Sequence, residues 1–323
     1  MKLRGFLVLL VVLLISVTAM AEIPEIAVVV KITGIPWFNR LEEGVIRAAE
    51  ELNVNAYQVG PTDADPAQQV KIVEDLIAKG VDAICVVPND ANAMEPVLKK
   101  AREKGIIVLT HESPDQQNAD WDIEVIDNVA FGEKNFETLA EGMGGEGQFA
   151  VFVGSLTVPL HNLWADIGLA MIEEKYPNME LVTERIPCGE DVNLSKQKTQ
   201  ELLRKYPELK GIVGFGSLGP IGAAQALKEK RLTDKVTVVG TVLPGHAAQY
   251  LAQGYIDTGY LWDPADAGFA LVYVADMMFN GETVETGMVV PGLGEAEVDE
   301  TAKVIKFNSI LDITAENAAE LGF

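Results

Sequence analysis

NAYQVGPTDADPAQQVKIVEDLIAKGVDAICVV, residues 55 to 87, decides the fold. NAYQV (55–59) and AICVV (83–87) are short, β-rich runs that read as strands. Between them a helix is expected to open at Asp65-Pro66, with Gln68 at its third position, and to close at Lys79-Gly80. Proline belongs at a helix start, because its missing N–H is not needed there, and glycine at a helix stop, because it accepts the left-handed conformation. A strand, a helix and a second strand on this scale make a βαβ unit, the building block of a parallel sheet covered by helices.

The rhythm extends in both directions. Upstream, IAVVVK (26–31) reads as the first strand, followed by a helical window with Leu41, Val45, Ala48, Ala49 and Leu52 on one face. Asn39 and Glu42 have capping-box spacing there, which leaves Trp37 and Phe38 on a strand-to-helix loop after Gly-Ile-Pro. Downstream, IIVL (106–109) follows a helix ending at Lys104-Gly105. After about residue 128 the pattern restarts with FAVFV (149–153), LVTERI (181–186), GIVGF (211–215), VTVVGT (236–241) and TGYLW (258–262). So many strands make two sheets, hence an α/β protein with two doubly wound parallel-sheet lobes. No low-complexity linker separates them, so several short crossovers should form a hinge, near Asp127-Asn128, Trp262-Asp263 and Val290-Gly292. The expected lobes are residues 22–127 plus 263–290, and 128–262 plus 291–323, with a ligand cleft between them.

Ahead of this body, Lys2 and Arg4 precede an apolar run from Phe6 to Val17, and Ala19-Met20-Ala21 has the small-x-small form of a signal-peptidase site. A cleavable export signal over residues 1–21 is expected, since the run is shorter than the ~20 residues a membrane span needs. In 323 residues with 48% hydrophobic and 23% charged side chains, 48 Asp and Glu against 25 Lys and Arg leave a formal charge of −23. That charge repels phosphate backbones and makes nucleic acid an unsuitable partner. The two cysteines, Cys85 and Cys188, fall in different lobes and are not expected to pair, and the three histidines lack zinc-site spacing. No metal or cofactor is implied.

In open parallel sheets ligands bind beyond the carboxyl ends of the strands. Those ends carry Lys31, Trp37, Phe38 and Asn39; Asn89 and Asp90; Glu112; His161, Asn162 and Trp164; Ser217; Thr241; and Trp262 and Asp263. Amide, hydroxyl and carboxylate groups suit sugar hydroxyls, and aromatic rings suit the C–H faces. Several of these residues have a second reading: Trp37 and Phe38 as core, Asp263 as a helix cap before Pro264, Lys31 as a partner for Glu112 alone. Gly214-Phe215-Gly216-Ser217-Leu218-Gly219 matches G-x-G-x-x-G, but it lies mid-chain, and a turn bringing backbone close to a sugar is the preferred reading over a dinucleotide site.

VKITGIPWFNRLEEG (30–44), GPTDADPAQQVKIVEDLIAKGVDAICVVPND (60–90), THES (110–113) and YLWDPADAG (260–268) resemble the type-1, ribose-binding-like periplasmic sugar-binding proteins of ABC importers, most of all their rhamnose- and autoinducer-2-binding branch. The resemblance covers roughly Ile26 to Phe307. It implies a periplasmic, monomeric, non-enzymatic protein that delivers a solute to a membrane permease. It further implies that Lys31 contacts ligand and that Glu112 stands in for a binding aspartate. Leu160-His161 replaces the branch's Asp-Gln pair and Phe215-Gly216-Ser217 its Pro-x-Ala turn, which points away from autoinducer-2 itself. A pentose or pentose derivative such as 5-methylthioribose fits the aromatic lining. The alternatives are a receptor presenting a sugar or autoinducer-2 to a membrane sensor and, less favoured, an exported glycoside hydrolase with Glu112 and Asp263 as acid and base.

Overall fold

The computed structural model describes residues 23–323, and the expected export signal lies outside the described residues. The first lobe is built from β1 (Glu25–Val29), α1 (Pro36–Leu52), β2 (Asn55–Val59), α2 (Pro66–Lys79), β3 (Ala83–Val86), α3 (Ala91–Glu103), β4 (Ile107–His111) and β5 (Trp121–Glu124). The second contains α4 (Asn128–Met143), β6 (Glu146–Val153), α5 (Pro159–Lys175), β7 (Asn178–Leu181), β8 (Ile186–Pro187), α6 (Val192–Lys205), β9 (Leu209–Gly214), α7 (Gly219–Lys230), β10 (Thr237–Thr241), α8 (Pro244–Ala252) and β11 (Thr258–Leu261). Helix α9 (Pro264–Phe279) then returns to the first lobe and packs on α1. A small hairpin, β12 (Val289–Val290) and β13 (Gly294–Glu295), precedes β14 (Glu297–Asp299) and β15 (Val304–Lys306), and the chain closes with β16 (Leu311–Ile313) and α10 (Ala318–Leu321).

The first sheet has the order β14-β15-β5-β4-β3-β1-β2 and is parallel apart from β14; the second runs β16-β11-β10-β9-β6-β7 and is parallel apart from β16, with β8 also pairing to β6. Strand order reverses beside β1 in one sheet and beside β6 in the other, and the crevices at those switch points face each other. On β1 and just beyond it, Ile26, Val28 and Val30 pack into the core shared with α1 and α9, while Ala27 and Val29 pack against α2 and α3. Burial on both faces explains why the strand is apolar without alternation.

The ends of α2 fall where its sequence signals put them: the Asp65 carboxylate accepts from the N–H groups of Ala67 and Gln68, and Gly80 ends the helix at φ 80. The expected capping box on α1 does not form. Pro36 is the first helical residue, its fixed φ starts the helix without a side-chain cap, and Asn39 lies exposed within the first turn. Trp37 and Phe38 are therefore helical and buried rather than on a loop. LVTERI (181–186) divides between β7 and β8, because Arg185 turns out of the ladder to hydrogen-bond the backbone and side-chain oxygens of Asn162. Strand β5 escapes sequence reading because Asp122 and Glu124 give it a polar pattern, yet both are buried.

The chain passes between sheets at Val125–Asp127, at Trp262–Asp263 and at Phe307–Ile310. The third passage lies beyond Val290–Gly292, and β14 and β15 (residues 297–306), expected in the second lobe, pair within the first sheet. The three-residue strand β15 reveals itself only through long-range parallel pairing with β5.

The seam between α1 and α9 brings backbone against backbone. A Cβ on Gly44 would lie 1.8 Å from the carbonyl oxygen of Ala265, and one on Gly268 would lie 2.2 Å from that of Leu41. Gly44→Ala should therefore destabilise the protein by about 1–3 kcal/mol, the usual cost of overpacking, read as a lower denaturant midpoint at unchanged slope. An unchanged midpoint would contradict so close a seam.

Candidate functional site

At the carboxyl end of β1, Lys31 turns its ammonium under the second lobe, where Nζ lies 2.5 Å from Oε2 of Glu112; the two side chains are 2% and 3% exposed. Asn89, after β3, donates its side-chain amide to the carbonyl of Lys31 at 2.7 Å and so fixes the backbone that carries the ammonium. Glu112 holds φ 61, a left-handed conformation uncommon for a residue with a Cβ and typical of strain retained at functional sites. Beside it, His111 Nδ1 donates to the carbonyl of Ile123 at 2.6 Å, and its Nε2 stands 3.8 Å from Glu112 Oε1.

The second lobe supplies the opposite wall. His161 Nδ1 accepts the N–H of Gly154 at 3.0 Å, which leaves the Nε2 proton as a donor. Burial, reinforced by the Lys31 charge, pushes His161 well below the usual histidine range and keeps it neutral. Glu190 Oε1 lies 3.9 Å from that Nε2, and burial raises the Glu190 carboxyl despite an opposing pull from Lys31. The rings of Trp37, Trp164 and Trp262 meet across the lobes, with centroids 5.1 Å apart for Trp37–Trp262 and 5.8 Å for Trp164–Trp262.

These groups surround a narrow cavity walled by Lys31, Trp37, Phe38, Glu112, His161, Trp164, Glu190, Gly216, Ser217, Thr241 and Trp262. Thr241 Oγ1 and Trp262 Nε1 are buried with no hydrogen-bond partner among the described residues. A buried orphan of this kind costs about 1–3 kcal/mol, which a bound hydroxyl would recover.

Not every residue read as a candidate reaches this cavity. Asn39 points to solvent. Asp90 caps α3 through the N–H of Ala93. Asp263 caps α9 through the N–H of Ala265 and holds the Arg40 guanidinium at 2.9 and 2.6 Å, so its carboxylate is already occupied. Asn162 satisfies the carbonyls of Ser155 and Val158 at the outer mouth. Asn89 acts one step behind the cavity, where its carbonyl also accepts Thr157 Oγ1 from the other lobe at 3.0 Å.

Glu190 is the wall residue that sequence reading missed. It follows β8, and placing that strand correctly would have brought it into view by the carboxyl-end rule. The G-x-G-x-x-G turn has a packing purpose at the same spot: Gly216, at φ 95, lies against Gly189, where a Cβ would come 2.8 Å from backbone atoms, and the N–H of Leu218 donates to the Gly189 carbonyl. The turn is closed by protein and does not offer an open phosphate cradle. Among the described residues no group of His, Cys, Asp and Glu is placed to hold a metal ion.

A two-lobed α/β protein with a closed polar and aromatic cavity at facing switch points is a binding protein, and the chain matches the periplasmic binding protein domain over residues 26–283. It belongs to that family, whose members are extracytoplasmic binding proteins rather than enzymes. The D-ribose/D-allose-binding protein of Pseudomonas aeruginosa is 34% identical over 237 residues, 68% of this chain and 70% of that protein. LsrB from Clostridium saccharobutylicum in complex with AI-2 superposes with a TM-score of 0.85 at 23% identity, covering 93% of this chain and 100% of its own. An ABC transporter solute binding protein from Clostridium phytofermentans with bound L-rhamnose gives 0.85 at 24% identity, covering 93% and 98%.

A depressed folded-state value means that the unfolded chain takes up a proton at His161 that the folded protein refuses. The stabilising contribution is therefore complete above the ordinary value of 6.5 and lost as pH falls below it. In unfolding titrations from about pH 8 to about pH 5, the stability advantage of wild type over His161→Gln should shrink on the acid side. A difference independent of pH would show that His161 titrates normally.

Proposed function

We propose that this protein is the exported solute-binding component of an ABC importer, capturing a neutral five- or six-carbon sugar by closure of its two lobes. The observation that carries the reading is the cavity wall, where donors and acceptors from both lobes, two of them unpartnered, alternate with three indole rings. A pentose derivative with an apolar substituent, such as 5-methylthioribose, suits the rings of Trp37, Phe38 and Trp164. The ribose, allose and rhamnose bound by the relatives support a sugar ligand.

Hydroxyls held by both lobes favour the closed state through contacts that the open state lacks, and that differential affinity shifts the population. The closed protein, acting as a monomer, would then present its ligand to the membrane permease. Asp263 and Glu112 are committed to Arg40 and Lys31, which supports binding without hydrolysis.

A thermal-shift screen of neutral sugars should find a ligand that raises the melting temperature equally with and without chelator. At one hundred times its dissociation constant such a ligand adds about 2.7 kcal/mol. Absence of any shift across pentoses, hexoses and their 5-substituted derivatives would refute the reading. Trp37→Ala should weaken that ligand about tenfold or more, by analogy with stacking on aromatic side chains. Because Trp37 also packs edge-on against Trp262, the ligand-free protein should lose measurable stability as well.

A further inference from the structure

Glu190 occupies an unusual position for a carboxylate. Its side chain is 11% exposed, it makes no hydrogen bond among the described residues, and His161 Nε2 stands 3.9 Å from its Oε1. A flexible loop could relieve such a group by turning it to water, but the loop that carries it is pinned. The N–H groups of Cys188 and Gly189 both donate to the carbonyl of Val153 at 2.8 Å, and the Gly189 carbonyl accepts from Leu218. Asp191, the next residue, caps α6 through the N–H groups of Asn193 and Leu194. The carboxylate is thus held over the cavity by backbone on both sides, ready for something that donates to it.

The chemistry of that donor follows from its surroundings. The charged and titratable groups facing Glu190 across the cavity are Lys31 and Glu112 from the first lobe and His161 from α5. Lys31 and Glu112 already satisfy each other, and His161 is held neutral with a proton on Nε2. A cationic ligand group beside Glu190 would have to give up its hydration in a buried site, a heavy cost for an ion even when it is paired. Neutral O–H donors escape that penalty. An ionised carboxylate only accepts, through two oxygens, so it suits two O–H groups on neighbouring carbons, while the His161 Nε2 proton can be given back to one of their oxygens.

We infer that Glu190, with His161 beside it, is the specificity-determining element that reads a vicinal diol on the side of the ligand facing the second lobe. This rests on the reading of the cavity as a sugar site, and it adds a demand that the first lobe cannot make: a sugar lacking either hydroxyl leaves Glu190 buried and unpaired in the closed state. Discrimination through a stranded polar group is stronger than discrimination through lost contact area.

The test uses Glu190→Gln, which keeps the shape and replaces one acceptor by a donor. The probe is whichever of D-ribose, D-allose, L-rhamnose and 5-methylthioribose binds wild type most tightly by titration calorimetry, together with its monodeoxy analogues and one analogue with an amine in place of a hydroxyl. The variant should bind the parent sugar about tenfold or more weakly. Two monodeoxy analogues missing adjacent hydroxyls should bind wild type about tenfold or more weakly but lose little further in the variant, the mark of a shared interaction. Without ligand the variant should melt no lower than wild type, because the carboxylate it replaces makes no hydrogen bond there, which shows that the weaker binding is not misfolding. Equal affinity of both proteins for the parent sugar, strictly additive losses for every deoxy analogue, or tighter binding of the amine would overturn the diol assignment while leaving the sugar site intact. If none of the four sugars binds wild type, the sugar reading fails and the diol goes with it.

Discussion

A lysine ammonium and a glutamate carboxylate, both almost wholly removed from water, meet at 2.5 Å where the two sheets face each other. Stripping water from two such charges costs several kcal/mol each, and removing one partner would strand the other. The surrounding residues make the arrangement tolerable. Asn89 holds the Lys31 backbone, the left-handed turn at Glu112 aims its carboxylate, and His111 next to it is orientated by the Ile123 carbonyl. What the pair provides is a neutral but strongly polar floor, able to donate from Lys31 and accept on Glu112 at the same time.

The two lobes contribute different things to the closed cleft. The first supplies this ion pair and the indole of Trp37; the second supplies the neutral histidine, the lone carboxylate of Glu190 and the hydroxyls of Ser217 and Thr241. Trp262, on the second passage between lobes, touches the rings of Trp37, Trp164 and Phe131 and so joins both walls at the hinge. Direct closure contacts are few and weak by comparison, such as Thr157 with the Asn89 carbonyl and Arg40 over the Phe323 ring. An empty closed state held by such contacts while burying unmet polar atoms is poorly stabilised, and a ligand that meets them changes the balance.

Much of this was legible in the sequence because local rules carry it. Strand and helix alternation, the Asp65 cap and the Gly80 stop are properties of neighbouring residues, and the carboxyl-end rule turns strand positions into candidates such as Lys31, Glu112, His161 and Trp262. The same rule misplaces residues whose side chains are used elsewhere: Asp90 and Asp263 sit at the right ends but are spent on helix caps. Asn39 failed because Pro36 starts its helix earlier than an amide cap would. Strands β5 and β14 were hidden because their carboxylates break the apolar pattern, and β15 because it is only three residues long and its pairing across more than a hundred residues leaves no mark on local spacing. Glu190 was lost through a strand set a few residues out of place.

The seam between α1 and α9 has a consequence for how the polypeptide matures. The first lobe begins at β1, but its helix α9 and strand β15 are encoded only after the whole of β6 to β11, so about 140 residues of the other lobe intervene between β5 and α9. As the chain emerges amino-terminus first, the earlier half waits with the α1 face exposed while the second lobe, nearly continuous in sequence, can gather its own sheet. Backbone contact at Gly44 and Gly268 then comes late, because α9 follows the whole of β6 to β11 in the chain. The leading half therefore cannot complete its core until nearly all of the chain has been made.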